Sequence, residues 1–278
     1  MGAFYSEAGR SAGVFAADAE PGHLGSTRAR DGAEICFESW GDGDTALVFV
    51  HGGLCDRSFW FEQIGPFSSG HRVVALDLPG HGDSGKTRTE WSAELLGDDV
   101  CRVVQALDTG RVILVGHSAG APVVVEAARQ LGSVVLGVVV VDFFHALGAG
   151  PPRRPGAGGD MKEAMRQGMF TPDADLALRE KIIEAMTSAP PEVAAGLQRA
   201  VSAFDVGAGL KAIAAMPISL VLSDLRPIEP AALRSLHPEV RVCAVRNVGH
   251  FLMLEAPHTF NAVLRTEVLL MTHQVKSF

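Results

Sequence analysis

The pentapeptide Gly116-His117-Ser118-Ala119-Gly120 constrains this chain more than any other feature. It directly follows the apolar run Arg111-Val112-Ile113-Leu114-Val115, and a helix-compatible stretch, residues 121–131, begins at once after it. A strand that becomes a helix across five residues must turn sharply. Such a turn forces its central residue into an unusual backbone conformation and crowds its neighbours, so the flanking positions must be Gly or very small. The Ser118 hydroxyl would then project at the carboxyl end of a strand and the amino end of a helix, where negative charge is favoured. Ser118 is therefore the candidate nucleophile. Gly-x-Ser-x-Gly also arises by chance in a chain with 31 glycines; the strand before it and the helix after it give it meaning here.

At 278 residues the chain fits one large domain, or one domain with an inserted subdomain. A hydrophobic content of 47% is ample for a core. The net charge of −8, without Lys/Arg clusters, argues against a nucleic-acid partner. The four cysteines, Cys36, Cys55, Cys101 and Cys243, form no Cys-x-x-Cys pair and read as reduced thiols. No Cys/His cluster has ligand spacing, so neither metal nor cofactor is expected. Residues 1–25 lack the basic start and apolar stretch of a secretory signal. No apolar run approaches the ~20 residues needed to span a bilayer. These readings predict no membrane partner and a cytoplasmic location. Residues 1–6 fit the short myristoylation pattern, but residues 1–24, rich in small side chains, read as a mobile tail.

Residues 27–30 and 34–39 flank Asp31-Gly32, a hairpin signal. Apolar runs at residues 46–50, 72–76, 112–115 and 134–141 alternate with helical patterns, one of them at 93–107. These runs are apolar on both faces, which predicts a parallel sheet with helices on each side. The alternation stops after Asp142. Residues 162–168, 172–188 and 191–204 read as helices, strands resume at 218–222 and 240–245, and a last helix starts near Pro257. The expected organisation is a core of residues 25–144 and 212–278, interrupted by a helical insertion at 145–211. In open parallel sheets ligands bind at the carboxyl edge, and Met161, Met165, Met169, Phe170 and Met186 are candidates to line a pliable apolar pocket there.

A serine nucleophile needs a base, and the base needs an orienting acid. Among ten histidines His250 stands out. It follows the last strand after the short loop Arg246-Asn247-Val248-Gly249, whose glycine allows a tight turn. His145 is the main competitor; His117 is expected to point away from Ser118, and His81 reads as a turn residue. Oxyanion donors are expected from the backbone N–H of Ala119, at the helix start, and of Gly53, in the loop His51-Gly52-Gly53-Leu54.

Together these pieces resemble the α/β-hydrolase family over residues 46–271. The marks are His51-Gly52 after a strand, Asp77-Leu78-Pro79-Gly80-His81-Gly82-x-Ser84, the turn Gly116 to Gly120, and Gly249-His250-Phe251 with Glu255-x-Pro257. The resemblance implies the chain order nucleophile, acid, histidine and a helical cap. It departs in the acid, because Arg226 occupies the slot where most relatives carry Asp. Asp224 lies two residues earlier; Asp142, at the end of a strand, is the other possibility. A cation in the usual slot opposes imidazolium formation unless a carboxylate neutralises it. That favours Asp142 as the acid and Asp224 as a counter-ion, with Asp224 the alternative acid. The function implied is a serine hydrolase of small or medium carboxylic esters, carboxylesterase-like, with a small-molecule ester as its partner. A carbon–carbon bond hydrolase, a lactonase and a ligand-sensing receptor remain alternatives on the same fold. A serine at residue 118 excludes the epoxide hydrolase and dehalogenase chemistries, which need a carboxylate there.

Overall fold

The alternating apolar runs build one eight-stranded sheet in the computed structural model, which describes residues 15, 21–143, 160–223, 225, 234–235 and 237–274. The strands are β1 (His23–Arg28), β2 (Glu34–Trp40), β3 (Thr45–Val50), β4 (Arg72–Leu76), β5 (Arg111–His117), β6 (Val135–Val141), β7 (Ile218–Leu222) and β8 (Arg241–Ala244). Their order is β1-β2-β4-β3-β5-β6-β7-β8. The first two form the expected antiparallel hairpin, β2 also pairs antiparallel with β4, and all later pairings are parallel.

Because the central strands are apolar throughout, both faces of the sheet are buried. Val48, Val50, Leu114 and Val140 pack with Leu96 and Val100 of α2 (Ala93–Ala106) and Val124 of α3 (Gly120–Leu131). Phe49, Ile113, Val115 and Val139 face the other way, toward Phe67 of α1 (Phe61–Ser68). The last helix, Pro257–Gln274, covers that same face through Phe260 and Leu264.

Among the described residues, four helices lie between β6 and β7 in the chain: α4 (Met161–Met169), α5 (Leu176–Thr187), α6 (Pro191–Ala203) and α7 (Val206–Ala212). Their starts are written locally. Asp160, Asp175 and Asp205 each accept a hydrogen bond from a first-turn N–H of α4, α5 and α7. Pro191 opens α6, where its missing N–H costs nothing. The Asp175 cap explains why α5 begins at Leu176 rather than at the expected 172. After β8 come the short α8 (Leu252–Glu255) and then α9 (Pro257–Gln274).

Two further features differ from the sequence reading. Within the expected mobile tail, Phe15 is buried, its ring 4.9 Å from Phe59 with Lys181 Nζ 4.6 Å above it. A packed aromatic ring is a stronger determinant than the small residues around it; residues 1–14 and 16–20 lie outside the described residues. Helix α1 forms across Gly65 and Pro66, which disguise it in the sequence.

The start of α3 is pressed against β3. A Cβ added at Gly120 would lie 2.6 Å from the His51 carbonyl oxygen and 2.8 Å from that of Val50. Both are backbone atoms of a buried strand end and cannot yield cheaply. Gly120→Ala is expected to lower unfolding stability by roughly 1–3 kcal/mol, read as a lower urea midpoint with an unchanged slope. An unchanged midpoint would show that the contact is not tight.

Candidate active site

Ser118 sits at the junction of β5 and α3 with φ +49°, a left-handed conformation that non-glycine residues seldom adopt. Its backbone is held from both sides: its N–H donates to Val141 O (2.9 Å), and its carbonyl accepts from Ala121 N (2.9 Å). A Cβ at Gly116 would fall 2.5 Å from Gly120 O, so the glycines of the pentapeptide are steric necessities. The first N–H groups of a helix have no partner inside it, and α3 has no side-chain cap. Its amino end, at Ala119, therefore faces the Ser118 side with donors.

The loop after β3 lies beside this turn because Val50 pairs with Gly116 in register. His51 shapes it. The buried ring contacts Gly52 O through Nδ1 (2.7 Å), while Nε2 accepts from Leu78 N (3.0 Å). The proton must then lie on Nδ1, and burial, which pushes the His51 pKa down, keeps the ring neutral. In a trans peptide the C=O and N–H point in opposite directions. Pinning Gly52 O on His51 thus aims the Gly53 N–H the other way. A Cβ at Gly52 would meet His117 Nδ1 at 2.7 Å and Ser118 Cβ at 3.3 Å, whereas one at Gly53 would make only ordinary contacts of 3.4 Å to Leu197 and 3.5 Å to Ala119. The position that must lack a side chain is Gly52. Leu54 completes the bend at φ +62°.

His81, expected as a turn residue, is buried with its ring centroid 4.9 Å from that of His51. Burial pushes its pKa down to about 3. Behind it, the buried Asp77 is ion-paired with the half-buried Arg57, and Ser84 Oγ ties Cys36 N (2.8 Å) to Asp77 O (2.7 Å). The motif from Asp77 to Ser84 is thus a brace for the loop carrying Gly53.

At the end of β6, Asp142 is buried and also left-handed, at φ +47°. Its Oδ2 is 2.7 Å from His250 Nδ1, and its Oδ1 accepts from Ser223 N (2.8 Å). The structure therefore brings together Asp142 and His250, 108 residues apart. Asp224, Arg226 and His145 lie outside the described residues. His117, expected to point away, is buried against the same turn and reaches His250 O through Nε2 (2.9 Å). Burial drives its pKa well down, so this too is a neutral ring. No sequence motif pointed to that support.

Gly53, Ser118, Ala119 and His250 line one cavity of about 250 Å³. Its other wall comes from the inserted helices, through Met165, Met169, Met186, Leu197 and Val201. Of the five residues expected to line it, Met161 is 50% exposed at the tip of α4, and Phe170 is stacked on Phe251 (5.7 Å, 22°). Among the described residues, no three His, Cys, Asp or Glu side chains gather as a metal site, and no helix is long and apolar enough to cross a membrane.

A family model described as "Alpha/beta hydrolase family" matches residues 47–263. Over 251 residues the chain is 26% identical to the dihydrolipoyllysine-residue acetyltransferase component of the acetoin cleaving system of Cupriavidus necator, covering 84% of this chain and 66% of that protein. Over 121 residues it is 33% identical to a non-heme chloroperoxidase of Streptomyces lividans, covering 42% of this chain and 44% of that one. The chain spans less than two thirds of the length of these curated relatives. Among solved structures, a thermophilic esterase from Thermogutta terrifontis matches with a TM-score of 0.76 at 22% identity, over 90% of this chain and 99% of that one. At that identity the likeness is one of fold.

The two glycines of the β3 loop give a sharp contrast. For the ester hydrolysis proposed below, Gly52→Ala should lower kcat about 100-fold, the scale of a 1 Å misplacement near the reacting atoms. Gly53→Ala should keep kcat within about threefold, since its N–H remains and its Cβ finds ordinary contacts. Steady-state kinetics of the two variants checks this; equal losses would contradict the assignment.

Proposed function

We propose that this chain, which belongs to the alpha/beta hydrolase family, is a serine hydrolase of small or medium carboxylic esters. The observation that carries the reading is the 2.7 Å contact of His250 Nδ1 with Asp142 Oδ2, beside a cavity that both Ser118 and His250 line. With Nδ1 on the carboxylate, Nε2 is assigned the role of taking a proton from Ser118 Oγ. Asp142 fixes that tautomer and stabilises the imidazolium that forms.

Ser118 Oγ attacks the ester carbonyl as His250 Nε2 accepts its proton. The N–H groups of Gly53 and Ala119 receive the oxyanion, each worth ~3–4 kcal/mol in the transition state. The tetrahedral intermediate collapses, His250 returns the proton to the departing alcohol, and an acyl-enzyme remains on Ser118. Water, deprotonated by His250, attacks that acyl group. The carboxylic acid leaves, and Ser118 regains its proton. Besides the substrate, the steps call on the chain's own residues and water.

The cavity supports a small, uncharged acyl group. At about 250 Å³ it falls just below the ~300–1,000 Å³ usual for drug-sized ligands. The described residues lining it include no Asp, Glu, Lys or Arg. Three methionine side chains in its wall can adapt to acyl groups of different shape. A lactone is a cyclic ester and fits the same steps.

Ser118→Ala should abolish turnover of short p-nitrophenyl esters while leaving the melting temperature unchanged, and Asp142→Asn should lower kcat about 10⁴-fold. Sustained hydrolysis by the Ser118 variant would remove the proposal. A wild-type chain that shows no turnover, but whose melting temperature rises with ligand, would favour the receptor alternative.

A further inference from the structure

Among the described residues, the carboxylates of Asp142 and Glu255 reach the turn that carries His250, and they hold different parts of it. Asp142 holds the imidazole. Glu255, at the end of α8, holds the backbone on either side of it: Oε2 accepts from Gly249 N (2.9 Å) and Oε1 from Phe251 N (3.0 Å). The peptide groups of His250 itself are engaged as well. Its N–H donates to Met169 O, the last residue of α4 (2.7 Å), and its carbonyl accepts from His117 Nε2 (2.9 Å). Four hydrogen bonds thus fix three consecutive residues.

Gly249 is shaped to this clamp. A Cβ there would lie 2.4 Å from Met169 O, 2.8 Å from Phe170 Cα and 2.8 Å from Glu255 Oε1. The stacking of Phe170 on Phe251 continues the contact between the inserted helices and the His250 turn. Helix capping accounts for one of the Glu255 bonds. Phe251 is the N-cap of α8, and the Glu255 carboxylate, four residues on, reaches back to the N-cap N–H, one residue later than a capping box would place it. The second bond, to Gly249, lies outside the helix and does nothing for α8. It does fix the residue on the far side of His250.

We infer that Glu255 is a positioning residue for His250, and that it acts together with the Met169 carbonyl, which makes the end of α4 part of the support of the proposed base. The inference rests on the reading of His250 as that base. Asp142 orients the ring about its own bonds, while Glu255 and Met169 locate the Cα from which the ring hangs. Helix α4 also supplies Met165 and Met169 to the cavity wall. An acyl group that displaces this wall therefore pulls on the His250 amide, so misfit is read out in kcat as well as in binding.

The test uses Glu255→Gln, which keeps one acceptor oxygen but turns a donor NH₂ toward the second amide, and Gly249→Ala, which leaves the carboxylate present but forces Met169 O away. Each is compared with wild type for kcat and KM on a p-nitrophenyl ester, for the rate of Ser118 labelling by a fluorophosphonate, and for urea stability. Both variants should lose about 10–100-fold in kcat and in labelling rate, with KM within about threefold, the signature of a displaced reacting group. Glu255→Asp should regain part of that loss. If Glu255→Gln does not fold, Gly249→Ala decides. Reduced stability with unchanged kcat and labelling per folded molecule would reduce Glu255 to a helix cap and overturn the inference. A wild type that the fluorophosphonate does not label would overturn the serine-hydrolase reading, and this inference with it.

Discussion

The structure depends on left-handed backbone at the carboxyl edge of a parallel sheet. Leu54, Ser118, Asp142 and Asn247 all have φ between +47° and +62°, and they follow β3, β5, β6 and β8. Such conformations cost of order 1–3 kcal/mol each and persist only where the surroundings over-determine them. For Leu54, Ser118 and Asp142 the surroundings are the largely buried strands β3, β5 and β6, whose pairing fixes where each turn begins. The turns at Ser118 and Asp142 are also tied to neighbouring strands, Ser118 N to Val141 O and Asp142 N to Val221 O. Strain is therefore concentrated at the edge where the cavity opens, and the rigid sheet sustains it.

Around that edge His51 and His117 take one part and His250 another. His51 and His117 are buried, burial depresses the pKa of each, and each rests on a backbone carbonyl, of Gly52 and of His250. They act as neutral struts of fixed tautomer. His250 is joined to a carboxylate, Asp142. An imidazole beside a buried carboxylate can accept a proton and hold the charge, whereas an imidazole buried on a carbonyl is held in its uncharged form. The proposed mechanism uses this division of labour.

Much of the fold was legible from the sequence because it lies in local patterns. Runs of Val, Ile and Leu mark β3 to β7, and for β4 and β7 the apolar runs coincide with the strands. Asp and Pro signals start the inserted helices. Helix α1 was hidden because Gly65-Pro66 contradicts its pattern and tertiary packing of Phe67 and Ile64 overrides them. The residues of the site were named from short motifs, and the structure places Gly53, Ser118, Ala119 and His250 around one cavity. Their supports were not legible. His117 meets a carbonyl 133 residues away, and Met169 O meets the His250 amide across the boundary between inserted helices and sheet. Such contacts leave no periodicity in a sequence. The acid was ambiguous in the sequence for a related reason: Asp142 and Asp224 both follow apolar runs there, and the contact of Asp142 with the His250 ring exists only in the fold. Met161, Met165 and Met169 share one helical stripe, but the stripe outruns the cavity at its amino end.

The most direct measurement is a crystal structure of the chain after reaction with a phosphonate ester that mimics the tetrahedral intermediate. The account predicts phosphorus bonded to Ser118 Oγ and a phosphoryl oxygen roughly 2.7–3.1 Å from the N–H groups of Gly53 and Ala119, with His250 Nδ1 still on Asp142. An unmodified Ser118, or an adduct whose phosphoryl oxygen points away from both amides with His250 parted from Asp142, would contradict it.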